Sequence, residues 1–267
     1  MAAAPAEPSD GRTVMPNQDN ERLLQDPRSA RPFRIGIAGG MGPLAGVYLQ
    51  QLLIEATPAA GDQDHFQVLC FTNPHVPERM HSLAEDGGRR YADAVRATAR
   101  LLADGGATHI VIPCNTAHAR LAEIRQGLHV PIVNMVGLAV DELLRRHGGA
   151  RRVGLLATVG TRSERVYERA RPEAPIEWLL PDDDNQRRVS EAILAVKVNE
   201  GARVAGHLLD VARALVRQGA EVLMVGCTEL SMCLDAIEPA GVPLVDPLRV
   251  VARHLVDIGL ERRRGEG

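Results

Sequence analysis

Two cysteines of this chain, Cys114 and Cys227, stand at the same point of a segment that occurs twice. Each copy has an Ala-Arg pair, a Gly-Ala turn and an apolar run that leads to the cysteine. Past it, Val130-Pro-Ile-Val is repeated as Val242-Pro-Leu-Val. A duplicated helix–turn–strand unit with one thiol in each copy predicts two half-sites that face each other. Two opposed thiols could remove a proton from one face of a substrate and return one to the other face.

Both cysteines follow a predicted strand and precede a predicted helix start. The helix dipole and the free N–H groups at such a position lower the pKa of a thiol. We therefore expect Cys114 and Cys227 to be catalytic, although packing in the core is the commoner role of a lone cysteine. That commoner role is expected for Cys70, within a strand, and for Cys233, within a helix.

A glycine-rich turn, Gly39-Gly-Met-Gly-Pro43, follows the first predicted strand. It matches the G-x-G-x-x-A pattern of dinucleotide sites, but the next strand ends in Thr72-Asn73 and not in the acidic residue that such sites use. The turn is better interpreted as backbone N–H groups, including that of Gly42, offered to a small anion such as a carboxylate. The equivalent turn of the second copy supplies hydroxyls from Thr158 and Thr161.

Several polar side chains stand beside the two thiols. Asn115, Thr116 and Thr228 could cap the following helices, or hydrogen-bond a substrate carboxylate, or do both. Glu229 and His118 could tune the thiols or relay protons. No Cys-x-x-Cys or His-Glu-x-x-His pattern occurs in the sequence, so no metal site is expected.

Two cations are candidates for holding a second carboxylate. Arg79, on a proline-braced loop after the second strand, could bind a carboxylate through two N–H groups, although its spacing alone is more typical of a surface arginine. Lys197 is the single lysine among 31 basic residues. It either serves a site that needs a compact ammonium group or survives by chance in an arginine-rich chain.

Predicted strands alternate with predicted helices, which is typical of parallel sheets covered by helices on both faces. Strands are predicted at 34–38, 67–72, 109–112 and 152–158, and helices at 44–56, 89–104 and 248–260. Because the pattern restarts at Arg152, the fold class predicted is α/β, with two tandem lobes. We expect a first lobe of residues 33–133 and 245–267 and a second of residues 134–244. Ligands bind beyond the carboxyl ends of parallel strands, so the cleft between the lobes is the expected active site.

The composition is that of a globular protein, with 45% hydrophobic residues and a formal charge of −3. This charge does not predict a nucleic-acid or membrane partner, and 3% aromatics argues against a base-stacking surface. Residues 1–32 are expected to be a disordered tail without a secretory or organellar signal. We therefore expect a cytoplasmic protein with four reduced cysteines.

Four segments together resemble the cofactor-independent aspartate/glutamate racemase family: Gly39–Pro43, Ile112–His118, Leu155–Thr161 and Gly226–Leu230. The resemblance spans residue 34 to about residue 250. The Gly-Gly-Met-Gly-Pro turn and Glu229 are similar to the aspartate racemase branch. The glutamate racemase branch has an Asp-Ser-Gly turn and a histidine after the second Cys-Thr.

The resemblance implies two parallel-sheet α/β lobes related by a pseudo-twofold axis, a homodimer, no cofactor such as pyridoxal phosphate, and a small amino-acid substrate. It implies that one thiolate removes the α-proton of aspartate, or of glutamate, while the opposite thiol reprotonates the other face. Arg79 and Lys197 match the family's binders of the side-chain carboxylate, whereas Glu78 and Met80 depart from its usual Asp and Thr. The α-amino-acid site would be lined by Met41, Asn115, Thr116, Thr161 and Thr228, with Gly42, Thr158 and Glu229 as further binding candidates.

Three other functions remain open on sequence alone. The chain could be a related isomerase, such as a maleate cis-trans isomerase, a hydantoin racemase or an arylmalonate enzyme, although these families match the quoted segments less well. It could bind a small anion without catalysis. It could also be a pyridoxal enzyme with Lys197 as the Schiff base, which absorbance of an aldimine would reveal.

Overall fold

The computed structural model describes residues 33–201 and 205–265, so the tail expected at residues 1–32 lies outside the described residues. The strands are β1 (Arg34–Gly39), β2 (Gln67–Thr72), β3 (His109–Val111), β4 (Arg152–Ala157), β5 (Glu177–Leu179), β6 (Val222–Gly226) and β7 (Leu244–Val245).

The helices alternate with these strands. They are α1 (Pro43–Ala56), α2 (Arg79–Asp86), α3 (Arg89–Asp104), α4 (Leu121–Arg125), α5 (Met135–His147), α6 (Val159–Ser163), α7 (Val166–Ala170), α8 (Asp183–Lys197), α9 (Ala205–Arg217), α10 (Leu234–Ile237) and α11 (Pro247–Arg264). Short 3-10 helices lie at Asp62–Asp64, Thr116–Arg120, Leu230–Cys233 and Glu238–Ala240.

The described strands form two parallel sheets of matching order, β2-β1-β3 and β5-β4-β6-β7. The internal repeat is also visible in single hydrogen bonds. The N–H of Ile110 donates to the carbonyl of Pro131, and the N–H of Leu223 donates to that of Pro243, each at 2.9 Å. The duplicated segments therefore fold alike, and the prediction of two parallel-sheet α/β lobes is confirmed.

Helices cover both faces of each sheet, so that each sheet lies between two apolar layers. In the first lobe, α1 and α11 pack on one face and α3 on the other. In the second lobe, α8 and α9 pack on one face and α5 and α7 on the other.

Helix α5, which follows the first half of the chain, packs on the sheet of the second half, and α11, which follows the second half, packs on the sheet of the first. Leu248 and Leu255 of α11 are buried with Ile35 of β1, and Val140 of α5 is buried with Leu155 of β4. Burying each of these side chains contributes about 2 kcal/mol, so this exchange holds the lobes together. The exact lobe boundaries given above stay a prediction.

Helix starts and ends follow local signals in the sequence. Pro43 begins α1, and the side chains of Asn134 and Asp246 accept backbone N–H groups at the starts of α5 and α11. The prediction of a helix at 89–104 is confirmed. The last helix is longer than predicted and ends in three arginines, which stabilise the negative end of the helix dipole.

Gly40 allows the chain to turn sharply between β1 and α1. Its φ of +109° is one that residues with a side chain rarely adopt. A Cβ at this position would lie 2.1 Å from the carbonyl oxygen of Asn73. The turn therefore requires glycine here, because it lies directly against the end of β2.

Candidate active site

The two repeated cysteines lie on neighbouring loops, one from each lobe. Cys114 follows β3, and Cys227 follows β6 directly. Cys114 is 4% exposed and Cys227 is 5% exposed. The hydroxyl of Thr228 donates to the carbonyl of Pro113 at 3.2 Å, so the residue after one cysteine contacts the residue before the other. The structure thus brings into contact two cysteine loops that are far apart in the sequence.

Burial raises the pKa of both thiols. For Cys114 this effect is opposed by the positive charge of Arg79, while for Cys227 it is reinforced by Glu229. The prediction that helix N-termini lower the pKa of these thiols is therefore wrong. Only short 3-10 helices, Thr116–Arg120 and Leu230–Cys233, follow the cysteines. Loss of hydration of the thiolate outweighs the few N–H groups that these turns present.

The predicted packing in the core is wrong for Cys70, whereas Cys233 packs against the core of the second lobe although it is not fully buried. Cys70 is exposed on β2, because that strand is the edge of its sheet. Cys233 is only partly buried, in a 3-10 helix. Neither is a fully buried core residue.

Glu229 places a buried carboxylate against Cys227. The residue is 3% exposed; its Oε2 accepts a hydrogen bond from the Cys227 thiol at 3.0 Å, and its Oε1 accepts one from the N–H of Gly42 at 3.0 Å. The anion that meets the glycine-rich turn is therefore the protein's own side chain. A carboxylate in contact with a thiol can take up the thiol proton.

Three threonine hydroxyls meet across the lobes. Thr116 Oγ1 lies 2.9 Å from Thr158 Oγ1 and 3.0 Å from Thr161 Oγ1, and the latter two are 3.0 Å apart. Thr116 comes from the first half of the chain and the other two from the second. This hydroxyl cluster thus joins the Cys114 loop to the second lobe.

The two candidate cations differ in their surroundings. Arg79, the first residue of α2, is 8% exposed and donates through Nη2 to the carbonyl of Met41 at 3.1 Å. Lys197, the last residue of α8, is exposed. A Cβ on Gly42 would lie 3.7 Å from Lys197 Cγ, so this lysine extends past the glycine-rich turn. The charge of Lys197 lowers the pKa of both thiols, and the charge of Arg79 lowers the pKa of Cys114.

Asn115 is held by a residue that the sequence did not single out. The hydroxyl of Tyr167 donates to Asn115 Oδ1 at 2.6 Å, and both residues are buried. Among the described residues, Asn115 Nδ2 is buried without a hydrogen-bond partner. Tyr167 lies on the short helix α7, and its place beside Asn115 depends on the packing of the two lobes.

His118 contacts the backbone of Cys114 and not its thiol. Its Nδ1 donates to the Cys114 carbonyl at 2.9 Å, and burial lowers the pKa of the imidazole to about 4. The ring is therefore neutral at pH 7.

The His118 pKa predicts how stability depends on pH. The unfolded chain binds a proton at this histidine below about pH 6.5, whereas the folded chain does so only near pH 4. Stability due to this group is thus present above pH 6.5 and is lost as the pH falls towards 4, by about 3 kcal/mol. Urea unfolding at pH 7 and pH 4 should therefore show that loss in the wild type and not in His118→Gln. His207→Gln, at an exposed position on α9, should retain the wild-type difference, and parallel losses in all three proteins would contradict the assignment.

The described residues contain neither a membrane-spanning helix nor a cluster of metal ligands. Over residues 33–201 and 205–265, no helix has the length and apolarity needed to cross a membrane. In the same part of the chain, no group of three or more His, Cys, Asp or Glu side chains is arranged to hold a metal ion.

Known proteins that are similar to this chain in sequence and in fold belong to one family. The family model of Asp/Glu/hydantoin racemases matches residues 38–255. The chain is 25% identical over 226 residues to the broad specificity amino-acid racemase RacX of Bacillus subtilis, covering 83% of this chain and 96% of that one. It is 31% identical over 242 residues to the glutamate racemase of Deinococcus radiodurans, covering 85% and 74%. The solved Picrophilus torridus aspartate racemase superimposes with a TM-score of 0.75 at 26% identity, covering 87% of this chain and 98% of that one.

Proposed function

Since this chain belongs to the Asp/Glu/hydantoin racemase family, we propose that it interconverts L- and D-aspartate by moving the α-proton between Cys114 and Cys227. The chain is an isomerase, as its relatives and structural neighbours are. Glutamate is the second candidate substrate, because a glutamate racemase is among the relatives.

The observation that carries the proposal is the pair of buried thiols on adjoining loops. Racemisation needs a base on one face of Cα and an acid on the other. The loops of Cys114 and Cys227 leave equivalent strands of two lobes, and they touch through Thr228 and Pro113. We infer that the two copies of the repeat direct their thiols at a shared space from opposite sides.

The proton transfer balances without a cofactor. For one enantiomer, the Cys114 thiolate takes the α-proton and becomes a thiol, while the Cys227 thiol gives its proton to the opposite face of the carbanion and becomes a thiolate. For the other enantiomer the roles are reversed. Burial raises the pKa of both thiols, so the thiolate, once formed, is a stronger base towards the weakly acidic Cα–H.

Positive charge and N–H donors would stabilise the developing carbanion. Lys197 acts electrostatically on both thiols and Arg79 on that of Cys114, and we assign both cations to the side-chain carboxylate of the substrate. Preorganised charges in a site shielded from water stabilise a transition state strongly. For the α-carboxylate and α-ammonium groups, we assign the main chain of Met41 and the side chains of Asn115, Thr116, Thr158, Thr161 and Thr228, since the N–H of Gly42 already donates to Glu229.

One relative supports a wider substrate range. The RacX relative is a broad specificity amino-acid racemase, and the family description includes hydantoin racemases. A buried arginine beside Cys114 favours a dicarboxylate over a neutral substrate, because an unpaired buried guanidinium is costly. A maleate cis-trans isomerase remains the alternative of different chemistry.

The proposal is tested by incubating the full chain in D2O, without added cofactor, with single enantiomers of aspartate, glutamate, alanine and 5-substituted hydantoins, and separately with maleate. Chiral chromatography and mass spectrometry should show that aspartate racemises faster than alanine. Deuterium should appear first in the product enantiomer and not in recovered substrate, since each face has its own base. Turnover of a hydantoin or of maleate alone would contradict the proposal.

We also infer a cytoplasmic homodimer. Two thiols that must stay reduced fit a reducing compartment. A second copy would cover three exposed apolar residues of the first lobe, Val47 and Ile54 of α1 and Phe71 of edge strand β2.

A further inference from the structure

Tyr167 and Asn115 form a buried hydrogen bond between the two halves of the chain. The tyrosine is 0% exposed and the asparagine 2% exposed, and the hydroxyl lies 2.6 Å from Oδ1. Asn115 directly follows Cys114 in the first half, whereas Tyr167 lies on α7 in the second half. The bond therefore ties the Cys114 loop to the opposite lobe.

The surroundings of Tyr167 fix its hydroxyl as a donor. Its ring packs against Trp178 with the centroids 5.4 Å apart. Burial keeps the pKa of the phenol well above its ordinary value, and the negative charge of Asp246 and Cys227 adds to this. The hydroxyl is thus protonated at any pH at which the protein works, and it donates to the amide oxygen.

This bond leaves the other end of the amide free. Because Oδ1 is taken by Tyr167, the Nδ2 group points away from it and, within the described part of the chain, has no acceptor. A buried N–H group without a partner is unfavourable. An NH2 group can only donate, so the missing partner is an acceptor such as a carboxylate oxygen, and not the substrate's ammonium group.

We propose that Tyr167 is a positioning residue that turns the Asn115 amide so that Nδ2 donates to a carboxylate of the substrate. The inference rests on the proposed function, because the carboxylate is that of the amino acid bound between Cys114 and Cys227. Tyr167 touches no reacting atom. It acts through Asn115, and it does so only while the two lobes are packed as they are here.

The test is a double-mutant cycle on the full chain with aspartate as substrate. Tyr167→Phe keeps the ring and removes only the hydroxyl, and it should raise KM about tenfold with kcat changed much less. Asn115→Ala should raise KM by about 10²-fold, and adding Tyr167→Phe to it should cause no further loss. Tyr91→Phe is the matched control, because Tyr91 is 0% exposed and its buried hydroxyl has no hydrogen-bond partner in the described residues. It should leave KM unchanged.

A second variant separates positioning from folding. Asn115→Asp keeps an oxygen for Tyr167 but replaces the free donor with an acceptor, so it should fold normally, by circular dichroism, and bind aspartate at least as poorly as Asn115→Ala. Wild-type KM in Tyr167→Phe, additive effects in the cycle, or normal KM in Asn115→Asp would each overturn the inference. A wild-type chain that racemises no amino acid would instead refute the proposed function.

Discussion

Replacing either Cys114 or Cys227 by alanine is expected to lower the rate of aspartate racemisation by about 10³-fold, because a positioned acid or base contributes about 10²- to 10⁴-fold. In the proposed mechanism each thiol serves one face of Cα, and in the folded chain both are almost fully buried. Water therefore cannot take over the missing group easily. The measurement is the initial rate of racemisation from each enantiomer, followed by chiral chromatography.

The two alanine variants should differ in the proton exchange that survives. With only Cys227 present, one enantiomer can still lose its α-proton to that thiolate and regain deuterium from the same face. With only Cys114 present, the other enantiomer should exchange. Residual exchange in D2O should therefore be confined to opposite enantiomers in the two variants, a pattern that general damage to the site would not produce.

Two cysteines of the same chain provide matched controls. Cys70 is exposed on an edge strand and Cys233 is half-buried away from the repeated positions. Cys70→Ala and Cys233→Ala should keep wild-type rates. Full activity in Cys114→Ala or Cys227→Ala would refute the mechanism with two bases.

Replacing Glu229 by glutamine is expected to lower kcat/KM by about 10²-fold at neutral pH. The carboxylate accepts a hydrogen bond from the Cys227 thiol at 3.0 Å and another from the Gly42 N–H at 3.0 Å. Glutamine has nearly the same shape and can still accept from Gly42, but it cannot take up the thiol proton. Glu191→Gln, at an exposed position on α8, is the control and should be neutral.

In Glu229→Gln, the fraction of Cys227 present as thiolate should rise although the activity falls. The negative charge of Glu229 and its hydrogen bond raise that pKa, so removing the charge should lower it and leave more thiolate at pH 7. Alkylation of Cys227 by iodoacetamide, measured by mass spectrometry, should therefore become faster in the variant while turnover becomes slower. Faster alkylation with unchanged turnover would show that Glu229 acts only through its charge.

The asymmetry between the thiols has a limited kinetic consequence. The Cys227 thiol donates a hydrogen bond to the carboxylate of Glu229. After burial, the largest effect on the pKa of Cys114 is that of the positive charge of Arg79. The equilibrium constant between two enantiomers is unity in an achiral solvent, so kcat/KM must be the same in both directions. Any difference between the directions is therefore confined to kcat and KM taken separately, and Glu229→Gln should change their ratio while lowering both values of kcat/KM equally.

The fold and the position of the site were largely predictable from the sequence. The repeat around Cys114 and Cys227 predicted two α/β lobes, because apolar periodicity and Gly-Ala turns depend on local geometry. The helix at 89–104 was confirmed for the same reason. Strand ends of parallel sheets collect at one edge, which placed both cysteines near the cleft without knowledge of any contact.

Long-range packing alone decided what surrounds these groups. The pKa of each thiol rises first because the cysteine is buried, and burial depends on packing against residues that are distant in the sequence. Cys70 is exposed because β2 lies at a sheet edge, and strand order is a tertiary property. The contact of Tyr167 with Asn115 joins residues 52 positions apart. The sequence by itself determined the α/β fold class and the repeat that contains Cys114 and Cys227, and the tertiary structure decided the hydration and hydrogen-bond partners of the side chains around them, because desolvation and side-chain contacts depend on the meeting of distant segments.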